Sequence, residues 1–456
     1  MAEDWPPYLS DPLKVLPHST ETAFPESLNT GCAYQKSTHM ISLYEAVLQA
    51  LCHNPQTQES WAQIRTQAAQ VGESESAYLP TITASIQNVN DQSRSVTPAL
   101  PQFATDQTSK YRSDTLSLNW LLFDFGARAA NLENAQKMLQ AAQKQYDHVL
   151  LKVFAATSQD FYAVAAAQSA VQVAQDNEKT AKQTLQAVKA RVVGGVAAIS
   201  DQLQAQTALS QAQIVRVKAE GERQNALGTL ALDMGWRPDQ LASVAPLDAS
   251  IEHLRASAQA ADQLLSEAEQ NHPALKAAIA QRDAAIAQAE QARAEGRPTI
   301  RLTAKASHNT QPESLGPGQP TTPTRAQERY VGLEFSMPLF EGFGRTYKIR
   351  KAEAEIQNQE ARVSDVSLQV AKDVWLNYQM LQTSTENVNA TRDLLKNAES
   401  AFQASQKRYH SGVADILELM SVQTNLANAR QQQAQAIADW HAAKHRLAAA
   451  LGKISV

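Results

Sequence analysis

Long apolar runs are missing from this chain. Nowhere in its 456 residues do about eighteen apolar residues follow one another, and the mean hydropathy is −0.39, which excludes a transmembrane helix. A span built from β-strands passes that test, because alternation keeps the average hydropathy low. Cysteine is nearly absent, with Cys32 and Cys52 alone, and glycine is sparse at 16 residues, so a disulfide-stapled scaffold and a collagen-like repeat are both excluded. The two cysteines either pair in an oxidising compartment or are both free. Positive charge is not in excess: 41 basic against 46 acidic residues leave a net charge of −5, without the basic footprint of a nucleic-acid binder. No secretory leader is visible, since Ala2, Glu3, Asp4 and Trp5 follow Met1 with neither a basic nor an apolar region. That start fits a cytosolic protein or a mature form carrying an added Met.

The helix breakers are unevenly distributed. No proline lies between Pro101 and Pro238 or after Pro338, and residues 127–193 and 345–411 hold neither Gly nor Pro. Each of these runs could form one helix of roughly 100 Å at about 1.5 Å per residue. In the first run Leu132, Leu139, Tyr146 and Val153 recur every seven residues, interleaved with Ala135, Ala142, Val149 and Ala156. Ile349, Ile356, Val363 and Val370 repeat that step in the second. Both patterns predict coiled-coil seams rather than ordinary bundle helices.

A shift of about 217 residues maps the first half of the chain onto the second. Leu122-Phe123-Asp124 matches Leu339-Phe340-Glu341, and Arg191, Gly195, Val196 and Ile199 match Arg408, Gly412, Val413 and Ile416. The expected organisation is an N-terminal tail over 1–40, a first repeat over 41–235, a linker over 236–257 and a second repeat over 258–456. Each repeat reads helix, strand pair, long helix, shorter helix, with hairpins over 81–124 and 299–339.

In the hairpins the period changes to two. Ile82, Ala84 and Ile86 alternate with polar neighbours, as do Leu116, Leu118, Trp120 and Leu122, then Ile300, Leu302, Ala304 and Ala306, and finally Val331, Leu333, Phe335 and Met337. Four amphipathic segments of about ten residues suit tilted transmembrane strands. The polar stretches 88–112 and 309–329 are expected to be loops. Four strands cannot close a barrel, and an open edge is not tolerated in lipid, so a spanning form must oligomerise. A dimer would supply eight strands and a filled lumen; a trimer would supply twelve and room for a pore.

The duplicated helix–hairpin–helix unit, the Pro80 and Pro298 junctions, the Leu-Phe-Asp and Leu-Phe-Glu strand ends and the Gly195 and Gly412 turns resemble the TolC family of outer-membrane channel-tunnels, over about residues 40–452. The resemblance implies a homotrimer with a twelve-stranded β-barrel in the Gram-negative outer membrane. It also implies a long α-helical coiled-coil barrel in the periplasm and an equatorial region near residues 233–255. The implied function is a passive exit duct for polypeptides (type I secretion) or small molecules. Implied partners are a periplasmic adaptor, an inner-membrane transporter such as an ABC exporter, and outer-membrane lipid, with no cofactor and no metal. Neither cysteine stands where a lipid-anchor cysteine would be expected, which tilts the expectation toward a secretion-type or general-purpose member.

Carried over by position, the turns 193–198 and 410–414 are the periplasmic tips. Asp201, Tyr409, Glu418 and Ser421 occupy gate or constriction positions, and Arg191, Gly195, Val196, Arg408, Gly412 and Val413 are adaptor-contact candidates. Ala414 stands where some relatives have a gate arginine, and Ser421 where they have a second aspartate, so a weaker or different lock is expected. Read from the residues alone, Asp201 and Glu418 lie six positions after their tip glycines. They serve either as helix-start carboxylates favoured by the dipole or as a ring of six acids in a trimer that favours cations. Tyr409 is tip packing or a gate partner, and His410 is a solvated residue or a pH sensor. His441 and His445 have metal-capable i, i+4 spacing but no third ligand. No catalytic constellation stands out. A soluble coiled-coil scaffold remains the alternative, as does a metalloenzyme using the two histidines.

Overall fold

The chain folds as two copies of one unit. The first holds α1 (Leu43–His53), α2 (Pro55–Ser76), β1 (Thr81–Ser95), β2 (Thr105–Phe123), α3 (Ala127–Val193) and α4 (Ile199–Asp233). The second holds α5 (Ala261–Asn271), α6 (Pro273–Ala294), β3 (Thr299–Asn309), the two-residue strands β4 (Glu313–Ser314) and β5 (Thr321–Thr322), β6 (Ala326–Ser336), α7 (Gly344–His410) and α8 (Ile416–Ala450). The computed structural model describes residues 11–15, 40–96, 98–99, 104–246, 261–314, 321–322 and 324–454. Most of the 1–40 tail and half of the 236–257 linker therefore lie outside the described residues. Among the described residues no helix is long and apolar enough to cross a membrane.

The breaker-free runs become α3 and α7, each a single helix of 67 residues. Proline sets the break between α1 and α2. Pro55 occupies the first helical position, and Asn54 caps the helix by accepting the Gln56 N–H at 2.9 Å. At the equivalent break the second copy uses His272, whose Nδ1 accepts the Ala274 N–H at 3.2 Å ahead of Pro273. The helix ends are duplicated too. Gly195, Gly235, Gly412 and Gly452 have φ of 73°, 70°, 77° and 79°, and each closes its helix with the paired bonds of a Schellman cap. At Gly235 a side chain would also collide, since a Cβ there would sit 2.5 Å from the His53 carbonyl oxygen.

The strands form one antiparallel sheet in the order β1-β2-β3-β6. Its register gathers the alternating residues as their spacing predicts. Ile82 pairs with Leu118, Leu118 with Ala304, and Ala304 with Val331, all on one face; Thr83, Ser117, Lys305 and Glu328 lie on the other. The 88–112 stretch is not the loop that its polarity suggested, because β1 runs to Ser95 and β2 begins at Thr105. Beyond Ile86 both faces of the hairpin are hydrophilic apart from the Val89–Tyr111 pair. The apolar alternation that identifies a strand disappears there while the hydrogen-bonded ladder continues.

Two compact units comprise residues 1–17, 65–140 and 280–361, and residues 18–64, 141–279 and 362–456. Within the first, each strand-to-helix turn is tied by an arginine. Arg128 pairs with Asp124 at 3.1 Å, with both side chains nearly buried, donates to the Leu121 and Ala77 carbonyls, and lies over the Tyr78 ring. Its counterpart Arg345 pairs with Glu341 and donates to the Gly296 carbonyl, in a more exposed setting. In the second unit Leu264, Ala268, Val374, Ala443 and Leu447 form a core, and Cys52 is disulfide-bonded. Cys32, the only other cysteine, falls outside the described residues.

Removing one partner of a buried pair leaves an uncompensated charge. Arg128→Ala should therefore lower stability in detergent by about 3–5 kcal/mol, whereas Arg345→Ala should cost no more than about 1 kcal/mol; denaturant midpoints check both. A pH effect follows from the titratable helix cap. Burial and the neighbouring His148 lower the pKa of His272 to about 4, and His148 is lowered by its own burial and by Lys152, against an opposing pull from Asp373. The folded protein thus binds fewer protons than the unfolded chain between about pH 6.5 and 4, and stability falls as pH drops through that window, by on the order of 2 kcal/mol. Asp233, raised to about 7 by burial and by Asp160, has the opposite dependence. The comparison with His272→Asn, which installs the first copy's cap residue, isolates the histidine: the variant should lose less stability on acidification.

Candidate functional site

The α3–α4 and α7–α8 connections are tight hairpins built by one device. Arg191 and Arg408 each stand at the last turn of a long helix, where their carbonyls accept the Val196 and Val413 N–H groups at 2.9 and 3.0 Å. A cation at a helix C-terminus meets the negative end of the dipole. A Cβ at Gly195 or Gly412 would find nothing within 4 Å, so these glycines serve the backbone turn and leave its outer side open. Val193, Val196 and Val413 are exposed around them.

Behind the turns lies a small core. Tyr409 is buried there with Leu185, Val188, Ala205, Ile416 and Leu419. Arg191 reaches across from the other hairpin: its guanidinium lies 4.9 Å from the Tyr409 ring centroid, and its Nη1 donates to the Tyr409 carbonyl at 3.4 Å. The two tips of one chain are therefore joined through an apolar core and a cation–π contact.

The acidic positions differ from one another. Asp201 lies in the first turn of α4, where it accepts the Ser200 hydroxyl at 3.2 Å. Glu418 lies in the first turn of α8 and is bound by Arg408 at 2.9 Å. A ring of these residues in a trimer would thus hold three carboxylates already paired. The sequence reading missed Asp415, which caps α8 by accepting the Glu418 N–H at 2.8 Å. The Asp-x-x-Glu spacing before an apolar run was the available signal; the first copy has Ala198 there, without a side-chain cap.

Ser421 is exposed on α8, away from the Tyr409 core. The His410 side chain is outside the described positions. His441 stacks on Tyr162 at 4.8 Å, and His445 lies 3.4 Å from the Tyr162 hydroxyl and edge-on to Phe154. Among the described residues no group of three or more His, Cys, Asp or Glu side chains could hold a metal ion.

A family model described as outer membrane efflux protein matches residues 46–235 and 264–453. The chain is 31% identical over 415 residues to protein CyaE of Bordetella pertussis, covering 91% of this chain and 84% of that protein. It is 22% identical over 436 residues to the outer membrane protein TolC of Escherichia coli, covering 94% and 85%. Among solved structures, the outer-membrane channel OprN aligns with a TM-score of 0.74 at 20% identity, covering 90% of this chain and 89% of that one.

The tip contacts are separable by substitution. Arg191→Ala removes the cation–π contact and one hydrogen bond and should destabilise the tips by about 1 kcal/mol. Tyr409→Ala opens a cavity and should cost about 3–5 kcal/mol. Limited proteolysis at the two turns reads the difference, with cleavage much faster in the tyrosine variant.

Proposed function

The chain belongs to the outer membrane efflux protein family, and on that premise we propose that it is a passive exit duct that works as a homotrimer. Cargo, polypeptide or small molecule, reaches it from an inner-membrane transporter such as an ABC exporter through a periplasmic adaptor. The protein lies in the outer membrane and is a channel rather than an enzyme.

The sheet carries this reading. One face is apolar and exposed, the other is polar, and among the described strands β1 and β6 have one neighbour each. Hydrocarbon offers no hydrogen bonds to an open edge, so β1 of one copy must pair with β6 of the next. Three copies give twelve strands, enough to surround an aqueous lumen lined by the polar face. A soluble scaffold would leave Val331, Leu333 and Phe335, each more than two-thirds exposed, in contact with water.

The tips are the gate in this reading. Asp201 and Glu418 supply the charge at the constriction, Tyr409 holds each pair of hairpins together, and Ser421 is a lumen position. The exposed turns at Gly195, Val196, Gly412 and Val413, with Arg191 and Arg408 behind them, form the adaptor contact. Because Arg408 offsets Glu418, the unpaired Asp201 ring dominates selectivity.

Reconstituted trimers in planar bilayers should conduct weakly and prefer cations. Asp201→Ala should lower the cation-to-anion permeability ratio, and Arg408→Ala should raise it by freeing Glu418. If neither substitution moves the reversal potential in a salt gradient, the acidic ring is wrong. If the protein is monomeric and water-soluble without detergent, the duct itself is wrong.

A further inference from the structure

The two copies of the unit carry the same arginine and settle its charge differently. Under the 217-residue shift Arg112 on β2 corresponds to Arg329 on β6, and Asp114 corresponds to Val331. Arg112 shares its face of the sheet with Leu116 and Leu118, and its Nε donates to the Asp114 carboxylate at 2.8 Å. Arg329 lies on that same apolar face, in the row Ala84, Leu116, Ala306, Arg329. In place of the aspartate the second copy has a valine.

No neighbour replaces the missing carboxylate. On this face Arg329 is flanked by Gln327 and Val331 of its own strand and by Ala304, Ala306 and His308 of β3. Glu328 lies on the other face, where it is ion-paired with Lys305 at 2.7 Å. The edge strand of a second copy brings none either, because beyond Ile86 the same face of β1 carries Asn88, Asn90, Gln92 and Arg94. Among the described residues Arg329 therefore has no ion-pair partner. An unpaired guanidinium on the lipid side of a barrel strand is costly at mid-bilayer and costs little at the boundary. The loop end of this face thus belongs at the boundary, where an anionic headgroup is the available counter-charge.

Toward the strand-to-helix turns the surface beside Arg329 is hollow. Ala304 and Ala306 floor a groove along β3, walled by Leu116 and Leu118 of β2 and by Val331 of β6, with Arg329 at its loop end. Walls two strands apart stand roughly 10 Å from each other, wide enough for an acyl chain. Beyond Arg329 the hollow continues past His308 and Gln327 to Asp114, whose charge Arg112 already balances. An apolar trough that ends on an unpaired guanidinium and then on hydrogen-bonding side chains has the polarity of an acylated, phosphorylated glycolipid.

Resting on the reading of the sheet as a lipid-facing stave, we propose that this groove is a lipid site, one in each copy, for glycolipid of the outward leaflet. Its ligand is of the lipid A class. An acyl chain lies over Ala304 and Ala306, a phosphate oxygen accepts from Arg329, and the sugar meets His308 and Gln327. The first copy offers no such site, since Asp114 occupies its arginine.

Full-length protein purified in a mild detergent tests this. It is titrated with diphosphoryl lipid A, dephosphorylated lipid A or phosphatidylglycerol, and native mass spectrometry counts the lipid retained per trimer. Wild type should retain up to one diphosphoryl lipid A per copy. Arg329→Gln should weaken retention about tenfold, through loss of one charge-assisted contact. Val331→Asp installs the first copy's partner and should weaken it as much while keeping the arginine; if that variant does not fold, Arg329→Gln decides alone. Lys110→Gln, which removes another cation from the same face, should leave retention unchanged. Equal retention by Arg329→Gln, or of the dephosphorylated lipid by wild type, overturns the proposal and leaves Arg329 reaching into water. Equal loss in Lys110→Gln overturns it in favour of a diffuse basic rim, and phosphatidylglycerol held as tightly as lipid A overturns the glycolipid assignment. A trimer that needs detergent yet binds no lipid A defeats this site alone, whereas a monomer soluble without detergent removes the stave on which it rests.

Discussion

Unpaired backbone at the two edges of a four-stranded sheet is the constraint on which the rest depends. Every N–H and C=O in hydrocarbon must find a protein partner, and one chain has only half the partners needed along β1 and β6. Pairing between copies is therefore a condition of membrane residence. The ladder of β1 and β2 continues beyond the apolar band on its own hydrogen bonds, while side-chain polarity follows the surrounding medium.

Duplication makes the physics easy to read, because two copies solve the same local problem. Where both use the same residue, the backbone dictates the choice: Gly195 and Gly412, or Gly235 and Gly452, all take left-handed φ at helix ends. Where they differ, the difference is chemical. Asn54 and His272 cap equivalent helices, but only the second cap can be switched by a proton. Ala198 and Asp415 precede equivalent helices, but only the second fixes its neighbour Glu418, which leaves Asp201 the less constrained acid.

Much of the fold was legible because its signals are long. The 67-residue runs without Gly or Pro and the period-two alternation at four places each average over many residues, and both appear as expected in α3, α7 and the sheet. What was not legible depends on short-range geometry. No spacing rule says that Arg191 reaches the Tyr409 ring, because the two lie 218 residues apart and meet only once both hairpins are folded. The pairing of Arg408 with Glu418 likewise needs the turn between them. Polar strand ends around Asn88 and Arg112 were hidden because alternation records the medium around a strand, not the strand itself.

The magnitudes at the tips constrain how the proposed gate could work. The exposed Arg408–Glu418 pair contributes at most about 1 kcal/mol, and the Arg191–Tyr409 contact is of similar size. The apolar core around Tyr409, Ile416 and Leu419 resists disruption more strongly, since truncating one large buried side chain costs about 3–5 kcal/mol. An opening that separated α3–α4 from α7–α8 within one chain would have to break that core. An opening that moved the paired hairpins of each copy as one body would break only contacts between copies. If the tips gate as proposed, the second route is the less costly one, and Tyr409 would then keep each hairpin pair intact.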